Sequence, residues 1–110
     1  MRQGAKAFRL RIFLSENDKY MGYPLYEEIV VQAHQIELAE VTVFRGVMGY
    51  GESGGLNIGK YLKVSKDLPI VIEILDSEAK INGFLELLAQ LLVSGIAMIE
   101  PVRLYRFNNK

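Results

Sequence analysis

Hydrophobic residues repeat every two residues in some stretches of this chain and about every 3.6 residues in others. The order of these stretches along the chain most constrains its fold. Four stretches are predicted strands, because they alternate at period two or are rich in β-branched and aromatic residues. They are residues 8–14, 41–48, 70–75 and 97–106. Two stretches repeat apolar residues at helical spacing, at 24–38 and from Asp76 or Ser77 to Gly95. The predicted order is strand, helix, strand, strand, helix, strand.

Two prolines and one apolar run refine this outline. Pro24 suits the first helical position, where its missing N–H removes no hydrogen bond. Residues 70–75 are apolar on nearly both faces, which predicts a central strand. Because Pro101 cannot donate to a ladder, the last strand is expected at a sheet edge or at a bulge. Residues 15–22 are a predicted polar loop, and residues 67–69 a predicted turn.

The compact arrangement of this order is a ferredoxin-like βαββαβ sandwich. In this α+β fold, a four-stranded antiparallel sheet carries both helices on one face. The length of 110 residues suits a single domain over 1–110, with an ordered core at about 8–107.

Composition excludes several classes of function. Thirteen Lys and Arg balance thirteen Asp and Glu, which argues against a protein that binds nucleic acid by neutralising phosphates. The absence of Cys excludes disulfides and thiolate metal sites, and His34 is the only histidine. No apolar run approaches the ~20 residues of a membrane span, and the N-terminus lacks the apolar core of a signal peptide. We expect a soluble cytoplasmic protein without membrane insertion.

Two helices cover one face of such a sheet, and the residues of the other face indicate its use. Apolar residues outnumber charges there, which favours a subunit interface. The alternative is a solvated face with an ion pair between Glu73 and Arg9 or Arg11. If the alternation holds, this open face carries Arg9, Arg11, Phe13, Thr42, Phe44, Val71, Glu73 and Leu75.

Nucleic-acid binding and catalysis both lack the residues they need. Residues 12–14 resemble the shorter aromatic motif of RNA-recognition domains, but the strand at 70–75 has no stacking aromatic, and its Glu73 would repel phosphate. There is no Cys nucleophile, no serine in a strand-turn-helix elbow, and only His34 as an imidazole base. We expect neither a nucleic-acid partner nor an enzyme.

Glycine is concentrated in one segment. Six of the ten glycines fall between Gly46 and Gly59, which predicts a mobile loop at about 49–60 and a short return strand at 61–64. The G-x-G-x-x-G pattern at 49–54 is not followed by a helix, so a dinucleotide site is rejected. The net charge of +3 over residues 45–66 makes an anion site plausible, and the alternative is an ordinary hairpin excursion.

Three segments, at 16–26, 42–51 and 67–76, together resemble the PII-like family known as domain of unknown function 190. The resemblance covers about residues 8–107 and extends to the PII signal-transduction proteins. It implies a homotrimer with its sheets packed around the threefold axis. It also implies an effector, of which an adenine nucleotide is one candidate, in the cleft between subunits at the loop base. The loop would then report the ligand state to an unidentified protein partner.

Carried onto this chain, the resemblance makes Gly49, Tyr50 and Gly51 the loop base. The basic residues that could contact a small anionic effector are Arg45, Lys60 and Arg103. Arg45 has a second interpretation, as a structural partner of Glu40 or Glu73. The chain departs from PII proteins at two points. Glu52 replaces a basic residue, and the connection at 93–98 has no Lys.

One alternative function remains open at this stage. The fold also occurs in divalent-ion-tolerance proteins, so the chain is alternatively a trimeric scaffold that binds a protein or a divalent cation without a nucleotide. Carboxylates from neighbouring subunits would be the ligands of such a cation. No metal-binding or catalytic residue is assigned within one chain.

Overall fold

The computed structural model describes residues 4–49 and 67–107, which form six strands and two helices. In chain order these are β1 (Ala5–Ser15), β2 (Lys19–Tyr20), β3 (Tyr23–Pro24), α1 (Leu25–Gln35), β4 (Glu40–Arg45), β5 (Pro69–Asp76), α2 (Glu78–Leu91) and β6 (Ile96–Leu104). The predicted loop at 49–60, except Gly49, and the predicted return strand at 61–64 lie outside the described residues.

The main sheet has the strand order β4-β5-β1-β6, with every pair antiparallel. Together with the two helices, this confirms the ferredoxin-like fold. The apolar strand β5 lies between β4 and β1, as predicted for residues 70–75. β6 lies at an edge of the sheet, one of the two positions expected for a strand that contains Pro101.

The core lies between the sheet and the helices. It is built from alternate residues of β1 and β5 and from one stripe of each helix. Buried residues of the strands are Leu10, Ile12, Leu14, Ile70, Ile72 and Ile74, and those of the helices are Leu25, Ile29, Ala33, Ile81, Phe84, Leu88 and Leu91. Phe84 is fully buried, and truncation of such a residue to alanine typically costs about 3–5 kcal/mol.

The first connection differs from the predicted loop. β2 and β3 form a hairpin in which Tyr20 pairs with Tyr23. Its two central residues, Met21 and Gly22, have φ of 49° and 87°, as a type I′ turn requires. Only Gly22 could have indicated this turn, because Met rarely adopts positive φ.

Both helices are shorter than predicted. Pro24 precedes α1, with ψ of 127°, so the helix begins at Leu25. α1 ends at Gln35 rather than at 38, because Glu37 adopts a left-handed φ of 60°. Ser77 caps α2, accepting a hydrogen bond from the Lys80 N–H at 3.3 Å, but the helix ends at Leu91 and not near Gly95.

No helix in the described ranges is long and apolar enough to cross a membrane.

The open face of the sheet carries one apolar row and one charged cluster. The register aligns Phe44, Val71, Phe13 and Ile96 across all four strands, and three of these side chains are exposed in the single chain. Beside this row, Arg11 Nε donates to Glu73 Oε2 at 3.0 Å, the cross-strand pair predicted from the sequence. Sequence reasoning missed the role of Glu100, which accepts hydrogen bonds from Arg9.

The contact with Arg9 stabilises the ionised form of Glu100. Hydrogen bonding from the guanidinium, supported by its charge, lowers the pKa of Glu100 from its ordinary value of 4.5. A carboxyl whose pKa is lower in the folded state contributes stability above its unfolded pKa. This contribution is lost as the pH falls through the folded pKa.

We therefore predict that Glu100→Gln loses a pH-dependent part of its stability. The urea midpoint of the variant should lie below that of the wild type at pH 7. The gap should narrow as the pH falls below about 4.5 and then through the lower folded pKa, because the unfolded chain takes up the proton before the folded chain does. Glu86→Gln, at an exposed position of α2, is the control and should show a gap that does not change with pH. A constant gap for Glu100→Gln would contradict the prediction.

Candidate functional site

Three strand ends meet at the root of the glycine-rich segment. The end of β1 is tied to the start of β5, because the Glu16 N–H donates to the Leu68 carbonyl at 2.8 Å. The end of β4 is tied to the same strand, because the Gly46 N–H donates to the Pro69 carbonyl at 2.8 Å. The backbone therefore holds the residues before and after the segment 50–66 in one place.

Arg45 lies at this root, with about half of its side chain exposed. Its Nη2 lies 3.0 Å from Glu16 Oε2 and 3.5 Å from the Tyr26 hydroxyl. The structural partners expected for Arg45 were wrong. Glu40 lies at the other end of β4, roughly 17 Å away by the rise of a strand, and Glu73 is held by Arg11.

Glu16 has one carboxylate oxygen in use and one without a partner. Oε2 accepts the ion pair with Arg45, whereas Oε1 is buried and has no hydrogen-bond partner within the described part of the chain. A buried acceptor without a donor costs free energy on the order of 1–3 kcal/mol. Among residues 4–49 and 67–107, the site therefore has an acceptor without a donor beside the Arg45 guanidinium.

Sequence reasoning missed Glu16 as a site residue. Its one signal was its place at the start of the segment 16–26, which is part of the resemblance to PII-like proteins. The contact itself depends on the pairing of β1 with β5, which brings residue 16 next to the end of β4.

The turn after β1 positions the start of α1 near the same root. The Ser15 N–H donates to Asp18 Oδ2 at 2.9 Å, and the Leu25 N–H donates to the Asp18 carbonyl at 2.8 Å. Asp18 therefore acts as a turn-shaping residue. Because its carbonyl holds the first residue of α1, it also fixes where Tyr26 meets Arg45.

Two glycines pack closely on Pro69 here, and Gly46 is the closer. A Cβ on Gly46 would lie 2.7 Å from Cγ of Pro69, and one on Gly49 would lie 3.2 Å from the same atom. The proline ring cannot rotate away as a flexible side chain would. Gly49 therefore lies at the loop root, where the resemblance places it.

The remaining predicted site residues are not brought to this root. Tyr50, Gly51 and Lys60 lie outside the described residues. Arg103 pairs with Lys6, eight positions before Leu14 on β1, so it lies roughly 26 Å along the sheet from the row of Arg45. A site that uses both Arg45 and Arg103 needs a second copy of the chain.

In residues 4–49 and 67–107, no group of three or more carboxylate or imidazole residues is placed to hold a metal ion. His34 lies exposed in the last turn of α1.

Comparison with known proteins identifies the family. A profile of the DUF190 family, described as "Uncharacterized ACR", matches residues 7–104. The chain belongs to the DUF190 family. Relatives include a UPF0166 protein of Aquifex aeolicus, 40% identical over 77 residues that cover 70% of this chain and 73% of that protein. A UPF0166 protein of Methanocaldococcus jannaschii is 31% identical over 102 residues, which cover 92% and 94% of the two chains.

Two solved structures share the fold of this chain. The chain is similar to CPII of Thiomonas intermedia K12 bound to ADP and bicarbonate, with a TM-score of 0.66, 18% identity, and coverage of 94% of this chain and 92% of that chain. A second CPII structure is of a nitrogen regulatory PII-like protein from the same organism, bound to ADP, AMP and bicarbonate. Its TM-score is 0.65 and its identity 16%, with coverage of 96% of this chain and 99% of that chain. This likeness shows the fold, and with the family match it confirms the PII-like resemblance.

The packing of Gly46 on Pro69 yields a stability prediction. Gly46→Ala should lower the free energy of unfolding by about 1–3 kcal/mol, because the new methyl group overlaps a rigid ring. Gly83→Ala is the control, since nothing lies within 4 Å of its Cβ position in α2. It should gain about 1 kcal/mol from helix propensity. Urea denaturation measures both, and a neutral Gly46→Ala would contradict the close approach.

Proposed function

We propose that this DUF190 chain is a PII-like regulatory binding module and not an enzyme. In this proposal it forms a homotrimer, acts in the cytoplasm, and binds a small anionic effector at the loop root between subunits. The segment that follows Gly49 contacts a partner protein. The observation that carries the proposal is the half-exposed Arg45 guanidinium, held at the root of that segment by Glu16.

The chemistry of the root favours an anion. A guanidinium presents several N–H donors in a plane, and Glu16 Oε2 and the Tyr26 hydroxyl leave others exposed. A carboxylate-like or phosphate-like anion fits this fork with two parallel hydrogen bonds.

The two CPII structures support an effector of modest charge. They were bound to ADP, AMP and bicarbonate, all of which offer planar or tetrahedral oxygen groups. In this chain the connection from α2 to β6 supplies no lysine, so fewer cations are available for a triphosphate. We infer bicarbonate or an adenine mono- or diphosphate as the effector class.

The proposed mechanism is a competition for Arg45. An anion that binds the guanidinium displaces Glu16, and Glu16 belongs to the turn that is tied to Leu68 at the other end of the segment 50–66. The ligand biases the segment only by its difference in affinity for the paired and the released states. The anion binds the released state more tightly, because Arg45 is then free of Glu16.

The homotrimer is supported by the open face. The apolar row of Phe44, Val71, Phe13 and Ile96 spans the whole sheet and is left without cover by the helices of its own chain. Contiguous exposed apolar surface of this kind typically marks an association surface. The charged cluster beside it is internally paired, so it would enter an interface with its charges partnered.

The trimer is tested by mass in solution. At micromolar concentration, light scattering should give three times 12.5 kDa for the wild type. Phe44→Glu should shift the mass towards that of one chain, because it places a charge in the apolar row. Phe107→Glu, at a residue exposed outside the sheet, should leave the mass unchanged. A wild-type monomer would overturn the assembly.

The effector site is tested by calorimetry and thermal shift with ADP, AMP and bicarbonate. Arg45→Gln should weaken binding by about 10- to 100-fold, the effect of losing a charge-assisted hydrogen bond. Glu16→Gln should strengthen binding by about two- to fivefold, because it removes the competing carboxylate. Arg106→Gln, which removes another exposed ion-paired arginine, is the control and should bind as the wild type does.

The opposite signs of the first two variants separate a ligand site from a structural ion pair. If the pair were only structural, both variants would lose stability and neither would change affinity. Absence of any binding by the three ligands, with heat from Mg²⁺ or Mn²⁺ instead, would favour the cation-binding scaffold and contradict the anion site.

A further inference from the structure

The charged cluster of the open face is a continuous network of two guanidinium groups and two carboxylates. Arg9 Nε donates to Glu100 Oε2 at 2.8 Å, and Arg11 Nε donates to Glu73 Oε2 at 3.0 Å. Arg9 Nη1 also lies 3.9 Å from Glu73 Oε2, which joins the two pairs. In the single chain, between 18% and 36% of each of these side chains is exposed. The four charges cancel only while both carboxylates are ionised.

The register places this cluster beside the surface that the proposed trimer buries. Arg11 and Glu73 lie two residues along their strands from Phe13 and Val71 of the apolar row, on the same face of the sheet. Two residues of a strand span only about 7 Å. A second copy that covers the apolar row therefore also removes water from the cluster.

The remaining charged groups on this face are paired with each other. Glu40, on the edge strand β4, lies in the same row as Arg9, with Leu75 of β5 between them. Its Oε2 lies 3.9 Å from Arg106 Nη1, and both side chains are more than half exposed. The helices pack on the other face of the sheet. Among residues 4–49 and 67–107, the carboxylates that neutralise the cluster are therefore Glu73 and Glu100.

We propose that this cluster makes the assembly of the chain acid-sensitive. Protonation of Glu73 or Glu100 leaves a guanidinium without a counter-charge in the interface, and an unpaired buried charge is strongly destabilising. Acid then separates the copies, and the effector site between them is lost with the assembly. This inference rests on the proposed trimer and adds pH as a second input to it.

The direction of the response follows from proton linkage. In the single chain, hydrogen bonding from Arg9 already lowers the pKa of Glu100. Removal of water alone would raise this pKa, but it also strengthens the attraction between the carboxylates and the two guanidinium groups, which favours the ionised form. The assembled chain therefore stays ionised to a lower pH than the single chain, and falling pH favours the single chain.

Analytical ultracentrifugation of the full chain from pH 7 to pH 4 measures this response, with far-UV circular dichroism at each pH to follow folding. The chain concentration at which half of the trimer has dissociated should rise about tenfold or more, because each proton taken up on dissociation changes the association constant by up to about tenfold per pH unit. A trimer holds three copies of each carboxylate, so several protons contribute.

Glu73→Gln tests the same step without acid, because it removes the carboxylate that both arginines share. At pH 7 its trimer should dissociate at a concentration about tenfold or more above that of the wild type, with an unchanged circular dichroism spectrum. Its further rise towards pH 4 should be smaller than that of the wild type. Glu86→Gln, at an exposed position of α2, is the control and should follow the wild type throughout.

The outcomes separate this inference from the proposed function. A wild-type chain that is monomeric at pH 7 would overturn the trimer itself. If the wild type is a trimer at pH 7, the acid response is overturned by a trimer that is equally stable at pH 4, by a Glu73→Gln trimer as stable as the wild type at pH 7, or by an equally large pH response in Glu73→Gln.

Discussion

The antiparallel register between β1 and β5 determines most of this molecule. It sets Leu10, Ile12 and Leu14 against Ile74, Ile72 and Ile70 under the helices, and it turns the intervening residues to the open face. A slip of one residue would exchange these two sets, placing arginines in the core and isoleucines in water. The same register brings Glu16 beside Leu68, so the root of the glycine-rich segment is a consequence of the core.

The charged residues at the two ends of the sheet are paired differently. At one end, Arg45 is already matched by Glu16, and an incoming anion must compete with an internal carboxylate. At the other end, Lys6 and Arg103 face each other without a described carboxylate partner. The Arg45 arrangement suits the proposed site, in which binding exchanges one contact for another.

Sequence reasoning predicted what depends on hydrophobic period and on local chemistry. The strand and helix order, the central β5, the edge strand with Pro101 and the Ser77 cap all follow from nearby residues. It failed where distant segments decide the outcome. The partner of Arg45 comes from a turn far away in the chain, and the Met21 turn needs a positive φ that the residue type does not suggest. The placement of Arg103 became evident only from the register of β6 with β1.

The central claim is that Arg45 exchanges Glu16 for an anion in a cleft between copies of this chain. A crystal structure of the protein grown with ADP and bicarbonate tests it most directly. The account predicts ligand density within hydrogen-bond distance of Arg45, in a cleft between neighbouring copies of a trimer, with the Glu16 carboxylate moved away. The account would be contradicted by a structure in which the copies form no trimer, Arg45 is still paired with Glu16, and the ligand is absent or bound elsewhere.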